Sequence, residues 1–483
     1  MSDWKNLQKE APEWFRDAKF GLFFHWGPYS VPAYKNEWYS RNMYDKYNDQ
    51  SKWHVAHYGP LSEFGYKDFI PMLKGEKFDP DVWAELVERS GAKYAGPVTE
   101  HSDNYSMWDS EVNPINSVRT GPHRDVTGEC AAAFRKRGIK MLATFHHQWL
   151  WGWFMSNDTE ADVYRPENEI YYGPALPLET NRYKPCRLPD KAFNDTWAKK
   201  VKEVVHKYRP DVVYFDSRTN IISEEARLDV MRDYYLQHAS IDGVITYKQA
   251  DFPAGIGVYD VESGGVADIQ ENPWQADVRL EDNITWCMVQ QPKYLSAGEV
   301  LHELCDVVAK NGNLLLNVGP YADGSFHEEA VKQLYAIGDW LKIGGEAIYG
   351  TRPWMKAKEG YYLAFKARAL MYDEAMLADL GGEELEKKKA EMAASARATR
   401  AEADDFRFTT REGAVYAIAL GWPENGKWLI QSMGSGDLPN VKRVSMPGVG
   451  ELPFAQTDEG LEVTTPKEKP YDFAWPIKVE NRI

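Results

Sequence analysis

Short apolar runs alternate with amphipathic stretches over the first three quarters of the chain. Phe20 to Phe24, Ala92 to Val98, Ile139 to Phe145, Val212 to Phe215, Gly243 to Lys248 and Asn313 to Pro320 are short apolar runs bounded by Gly, Pro or Asp, which predicts buried parallel strands. Between them the apolar positions recur at helical spacing. Asp79-Pro80-Asp81 opens a helix through Val82, Leu86 and Val87 that Gly91 ends, and Arg124-Asp125-Val126 opens another that runs to Gly138. Further helices are predicted from Pro189 to Tyr208, from about Ser223, from Ala297 to Ala309 and from Glu328 to Ile343. At least six strand-then-helix units follow one another, the pattern of an α/β fold with a (β/α)8-like barrel over residues 1–355.

From residue 356 the texture changes. Gly360 to Phe365, Phe406 to Thr410, Ala414 to Leu420 and Trp428 to Ile430 are short strands separated by turns, which predicts a C-terminal β-sandwich over 356–483. Residues 373–404, rich in Ala, Glu, Lys and Met and broken at Gly381-Gly382, predict a helical hairpin inserted into that sandwich. Its charged faces are read first as solvated. Its Met and Leu stripe is also a surface on which a second copy of the chain could pack as a homo-oligomer.

Composition narrows the function. The 483 residues carry a formal charge of −16 with a pI near 5.3, which would repel nucleic acid and anionic membrane surfaces alike. Cys130, Cys186, Cys287 and Cys305 have neither CxxC spacing nor His partners at metal-ligand spacing, so neither a zinc site nor a disulfide framework is expected. The first residues show no apolar targeting core and no later window reaches the length of a membrane span. A soluble chain is expected, cytoplasmic or, if a signal peptide has been removed, periplasmic or secreted. Core packing accounts for most of the 18 Trp and 28 Tyr, but flat aromatic faces beside Gly, His and Asp also suit the apolar faces of sugar rings.

Candidate chemistry gathers at strand ends. Asp216 follows Val212 to Phe215, where a barrel strand delivers its side chain to the mouth; Arg218-Thr219-Asn220 separate it from the next helix and leave it too early to be that helix's N-cap. His25 and Trp26 end the first strand, and Asn36-Glu37-Trp38-Tyr39 supply a carboxylate, an indole and a phenol to the same rim. The second strand runs into Glu100-His101-Ser102-Asp103 and on to Trp108, and the third into His146-His147. Two neighbouring histidines leaving a strand point to opposite faces, so they do not chelate one ion together. Residues 156–188, rich in proline and without periodicity, read as a long rim loop shaping the outer part of a pocket.

The run Phe15-Arg16-Asp17-Ala18-Lys19-Phe20-Gly21-Leu22-Phe23-Phe24-His25-Trp26-Gly27, with Tyr29-Ser30-Val31-Pro32 and Glu37-Trp38-Tyr39, resembles the opening of the α-L-fucosidases of glycoside hydrolase family 29. The resemblance continues in Pro210-Asp211-Val212-Val213-Tyr214-Phe215-Asp216, in Gly312 to Pro320 with Asp323-Gly324, and in Gly345 to Trp354, and so runs through most of residues 12–355. It implies eight barrel strands and hydrolysis of a terminal α-L-fucoside with retention, Asp216 being the nucleophile. It implies a sugar pocket made by His25, Glu37, Trp38, His101, Trp108, His146 or its neighbour His147, Tyr214, Lys248 and Trp274. Lys248 stands where relatives often carry arginine, and Ser102 where they carry a second histidine. Glu262, in the loop after the fifth strand, is the acid/base by resemblance to an Asp-x-Glu-Arg-Gly pattern in which Ser263 replaces the arginine. Glu271 is the runner-up, because the Trp-Glu pair of other relatives is here Trp274-Gln275. The partner implied is a fucosylated glycan, and no metal or organic cofactor is implied, since stabilisation of an oxocarbenium ion by a carboxylate pair needs none. The other readings are an inactive carbohydrate-binding homologue and a glycosidase for a related L-galacto-configured sugar.

Overall fold

The computed structural model describes residues 2–174, 176, 187–365 and 400–481. Most of the sequence-predicted helical hairpin at 373–404, Cys186 and part of the rim loop therefore lie outside the described residues.

Eight parallel strands close a barrel in sequence order: β1 (Phe20–Phe24), β2 (Tyr94–Glu100), β3 (Lys140–Phe145), β4 (Val212–Phe215), β5 (Val244–Lys248), β6 (Val258–Glu262), β7 (Trp274–Arg279) and β8 (Gly312–Asn317), with β8 pairing back onto β1. In β1 the alternation is plain. Phe20, Leu22 and Phe24 face outward into the helix layer, whereas Phe23 packs inside with Tyr94, Leu142, Val212, Tyr214 and Leu315. Gly21 also faces inward, and a Cβ there would lie 2.5 Å from the Tyr94 ring, so the glycine makes room for a tyrosine that crosses the barrel. Outside, helices Pro80–Ser90, Val126–Lys136, Lys191–Tyr208, Glu224–Arg232, Ala297–Ala309 and Glu328–Gly344 bury their apolar faces on the strands. Ser223 accepts from the Ala226 amide and caps the helix after β4, which leaves Asp216 free of that duty.

Two barrel strands differ from the sequence reading. Glu262 is the last residue of β6 itself rather than part of a loop after the fifth strand, and Trp274 is the first residue of β7. No helix separates β5 from β6 or β6 from β7. Without a helix to cover it, Tyr259 on β6 is exposed, while Asp260, Gln275 and Asp277 point into the barrel; neither strand therefore shows an apolar run.

Beyond the barrel, a six-stranded and a three-stranded antiparallel sheet enclose a second core that includes Phe406, Phe408, Trp428, Ile430, Leu461 and Ile477. Fully buried Arg407, on the strand Phe406–Arg411, donates to Asp306 (2.6 Å) on a barrel helix, and Lys310 holds the other oxygen of the same carboxylate (2.6 Å). Cys130, Cys287 and Cys305 are buried free thiols. Among the described residues no helix is long and apolar enough to cross a membrane.

Candidate active site

A cavity of ≈ 520 Å³ opens where the barrel strands end, the position at which this architecture converges side chains from many strands. His25 comes from the end of β1, Glu37 and Trp38 from the loop after it, His101 from the end of β2, His146 from the end of β3, Tyr214 and Asp216 from β4, Lys248 from β5 and Glu262 from β6. The structure brings these nine together.

Lys248 organises the acidic side. Its ammonium lies 2.7 Å from Glu262 Oε2, 3.1 Å from Asp277 Oδ2 and 3.4 Å from Asp216 Oδ1. Burial opposes the charge, but the carboxylates of Asp277, Glu262 and Asp216 outweigh it and hold Lys248 protonated, above its ordinary range. Asp216 also accepts from the Trp149 indole (2.7 Å), and Gln148 donates to its backbone carbonyl (2.7 Å), which fixes both the side chain and the strand end. Enclosure pushes the Asp216 carboxyl up to about 6, with Lys248 pulling it down and Glu262 pushing it up. The two carboxylates differ in access to water: the Asp216 side chain is 15% exposed and that of Glu262 46%.

Beneath Lys248 a polar column descends through the barrel. The Tyr214 hydroxyl donates to Asp277 (3.3 Å), and lower down Tyr94 donates to Gln275 (2.8 Å), which donates to Asp260 (2.6 Å). Burial, then the neighbouring Asp277 charge, drives the Asp260 carboxyl upward.

The opposite wall is made of neutral groups. His25 is bonded through Nδ1 to Asn317 Oδ1 (2.6 Å), and burial, offset in part by that bond, lowers its imidazole to about 4. Burial likewise holds His101 and His146 well below their ordinary range. Such imidazoles can donate and accept at once, as recognition of a polyol requires. Glu37 accepts from the Trp286 amide (2.8 Å), and burial raises its carboxyl to about 7. His147 turns away from the cavity to Glu100 (2.5 Å), which Lys200 also holds (2.8 Å), as expected of neighbours leaving a strand.

Two expected pocket residues stand elsewhere. The Trp108 ring is fully buried behind the loop after β2, with its indole N–H on Glu203 (2.8 Å). Trp274 begins β7, at the end of the barrel away from the mouth, and donates to the Lys310 carbonyl (2.9 Å). Neither lines the cavity. Glu271 is exposed and precedes β7, so it too sits at the far end. The sequence reading omitted four residues that shape the site: Trp149 and Trp286 in its wall, Asp277 under Lys248, and Arg279, buried at the end of β7 with its guanidinium 5.6 Å from the Trp286 ring.

A parallel barrel whose mouth sets two carboxylates in one cavity, against a wall of imidazoles and indoles, is built as a glycoside hydrolase. A family model described as alpha-L-fucosidase matches residues 1–346 and one described as alpha-L-fucosidase C-terminal domain matches residues 401–480; the chain belongs to the α-L-fucosidase family. The tissue alpha-L-fucosidases of Mus musculus and Homo sapiens are each 28% identical to it, over 99% of this chain and 94% and 91% of theirs. The structure of the Thermotoga maritima alpha-fucosidase in complex with a mechanism-based inhibitor superposes with a TM-score of 0.75 at 26% identity, covering 99% of this chain and 98% of that one.

Proposed function

We propose that the protein removes terminal α-L-fucose from oligosaccharides or glycoconjugates with net retention of configuration, Asp216 acting as nucleophile and Glu262 as acid/base. The observation that carries this reading is the Lys248 ammonium. Because it touches Asp216 at 3.4 Å and Glu262 at 2.7 Å, the nearest oxygens of the two carboxylates are no further apart than those two legs end to end. Carboxylates held by one ammonium in this way suit the roughly 5–5.5 Å separation of double displacement.

The division of roles follows from exposure. Asp216, enclosed and oriented by Trp149, attacks the anomeric carbon as the aglycone oxygen leaves with the Glu262 proton, forming a glycosyl ester. Glu262, open to solvent, then takes a proton from water, whose oxygen attacks the same carbon and releases Asp216. As acid, Glu262 gives up the proton it carries, and in this structure its Oε2 lies 2.7 Å from the Lys248 ammonium. A glycoside seated between the carboxylates displaces that contact, and Lys248 keeps Asp277 and Asp216. His25, His101, His146 and Glu37 bind the sugar hydroxyls, while Trp38, Trp149 and Trp286 present aromatic faces.

The test is the anomer released first. Followed by NMR in fresh reaction with an aryl α-L-fucoside, α-L-fucose appears before mutarotation produces β. Appearance of β first would mean single displacement and overturn the assignment.

A pH dependence also follows. Only ionised Asp216 attacks, so kcat/KM falls on the acid side as pH drops through about 6. Lys248 favours the charged form of Asp216; removing its ammonium in Lys248→Met raises the Asp216 carboxyl, and the acid limb of the profile moves to higher pH. A limb that stays in place would separate Lys248 from the ionisation of Asp216.

A further inference from the structure

We propose that His25, His101 and His146 form a transition-metal site, through which a zinc or copper ion enters the pocket in place of the sugar and inhibits the enzyme. Each of the three offers a ring nitrogen within 4.8 Å of the other two, and all three residues are buried. Three imidazoles on one tetrahedral zinc, at Zn–N of about 2.0–2.1 Å, place their ring centres about 5 Å apart. Here the centres are 5.6 Å (His25–His101), 5.6 Å (His25–His146) and 4.8 Å (His101–His146) apart. Small side-chain rotations close the set, with no strand having to move.

The surroundings of His25 match what a metal-binding imidazole needs. Asn317 takes the Nδ1 proton of His25, which fixes the tautomer and leaves Nε2 with its lone pair, the service usually given to a ligating histidine by a neighbouring oxygen. Nδ1 of His101 and of His146 is buried without a hydrogen-bond partner among the described residues. The acidic side of the cavity supplies more negative charge than Lys248 cancels, so a dication is tolerated beside it. An all-nitrogen set of three with one position open to the cavity suits Zn²⁺ or Cu²⁺ and gives little to Mg²⁺ or Ca²⁺, which prefer oxygen. The ion would occupy the nitrogens that otherwise meet hydroxyl groups, so metal and sugar exclude each other. This last step rests on the proposed function; the binding of metal does not.

The experiment uses the full chain without an affinity tag. One equivalent of Cu²⁺ should give an EPR signal with nitrogen couplings from several imidazoles, and saturating L-fucose should abolish it. Zn²⁺, unlike Mg²⁺, should raise the apparent KM for an aryl α-L-fucoside with kcat unchanged. His101→Gln and His146→Gln should each lose the one-equivalent site in calorimetric titration, their folding checked by melting temperature. His206→Gln, which alters the surface set His206, Asp233 and His238, should keep it. Loss in His206→Gln with retention in the other two would overturn the proposal, as would a wild-type copper signal without several nitrogens. A three-nitrogen signal that fucose leaves untouched would overturn the competition and count against the sugar reading of the pocket, while metal binding itself stood.

Discussion

Asp216→Ala is expected to lower kcat on an aryl α-L-fucoside by at least about 10⁴-fold, because it removes the group that forms the covalent bond. The fold should not suffer. The carboxylate sits enclosed beside Glu262 and Asp277, so its charge is held at a cost. Lys248 keeps Asp277 and Glu262 as partners after its removal. The melting temperature of the variant should therefore match or exceed that of the wild type, the usual relation between a strained functional group and stability. Turnover and calorimetry on the same preparation decide the matter. A kcat within about 100-fold of wild type would take the nucleophile role from Asp216.

The second large effect separates proton transfer from bond formation. A general acid matters most when the leaving group is poor. Glu262→Ala should therefore hydrolyse natural fucosides very slowly, yet still form the glycosyl ester from a fluoride or dinitrophenyl substrate. That ester then waits for a base. Azide, which needs no deprotonation, should attack it and restore turnover, and two inversions at carbon give α-fucosyl azide. A β-azide would report direct displacement, as expected of an Asp216 variant. Absence of both leaving-group dependence and rescue would remove Glu262 from the reaction. Glu271, at the other end of the barrel, should show neither effect when replaced.

What could be read from the sequence follows from where each residue sits on a strand. Strands β1 to β5 and β8 are sandwiched between the interior and covering helices, so both faces are apolar and the run is visible; their last residues could be named in advance. Strands β6 and β7 give their inward faces to Asp260, Gln275 and Asp277 and looked like loop. Trp149 lies past the end of β3 within a tryptophan-rich run, with nothing local to show which ring reaches Asp216. Trp286 is brought to Glu37 by a loop that returns to β1, a meeting of positions 249 residues apart that no local pattern records. Trp108 and Trp274 err in the opposite sense. Each lies beside a motif of the family, but the pitch of its own backbone turns the ring to Glu203 or to the Lys310 carbonyl.

The Arg407–Asp306–Lys310 cluster has a bearing on how the chain can be cut. Asp306 lies on the helix that packs behind β8, the strand that seals the cylinder, and its negative charge is balanced from both sides, one cation coming from the antiparallel sheets. A shortened chain ending near residue 355 would leave that carboxylate with Lys310 alone and uncover the outer face of the helix Ala297–Ala309. Breaking a buried pair from one side typically destabilises by about 3–5 kcal/mol, a large share of what holds an ordinary domain together. The sheets are thus a structural buttress for the catalytic cylinder, and excising them would be felt first in the helix that backs β8, the strand that ends at Asn317.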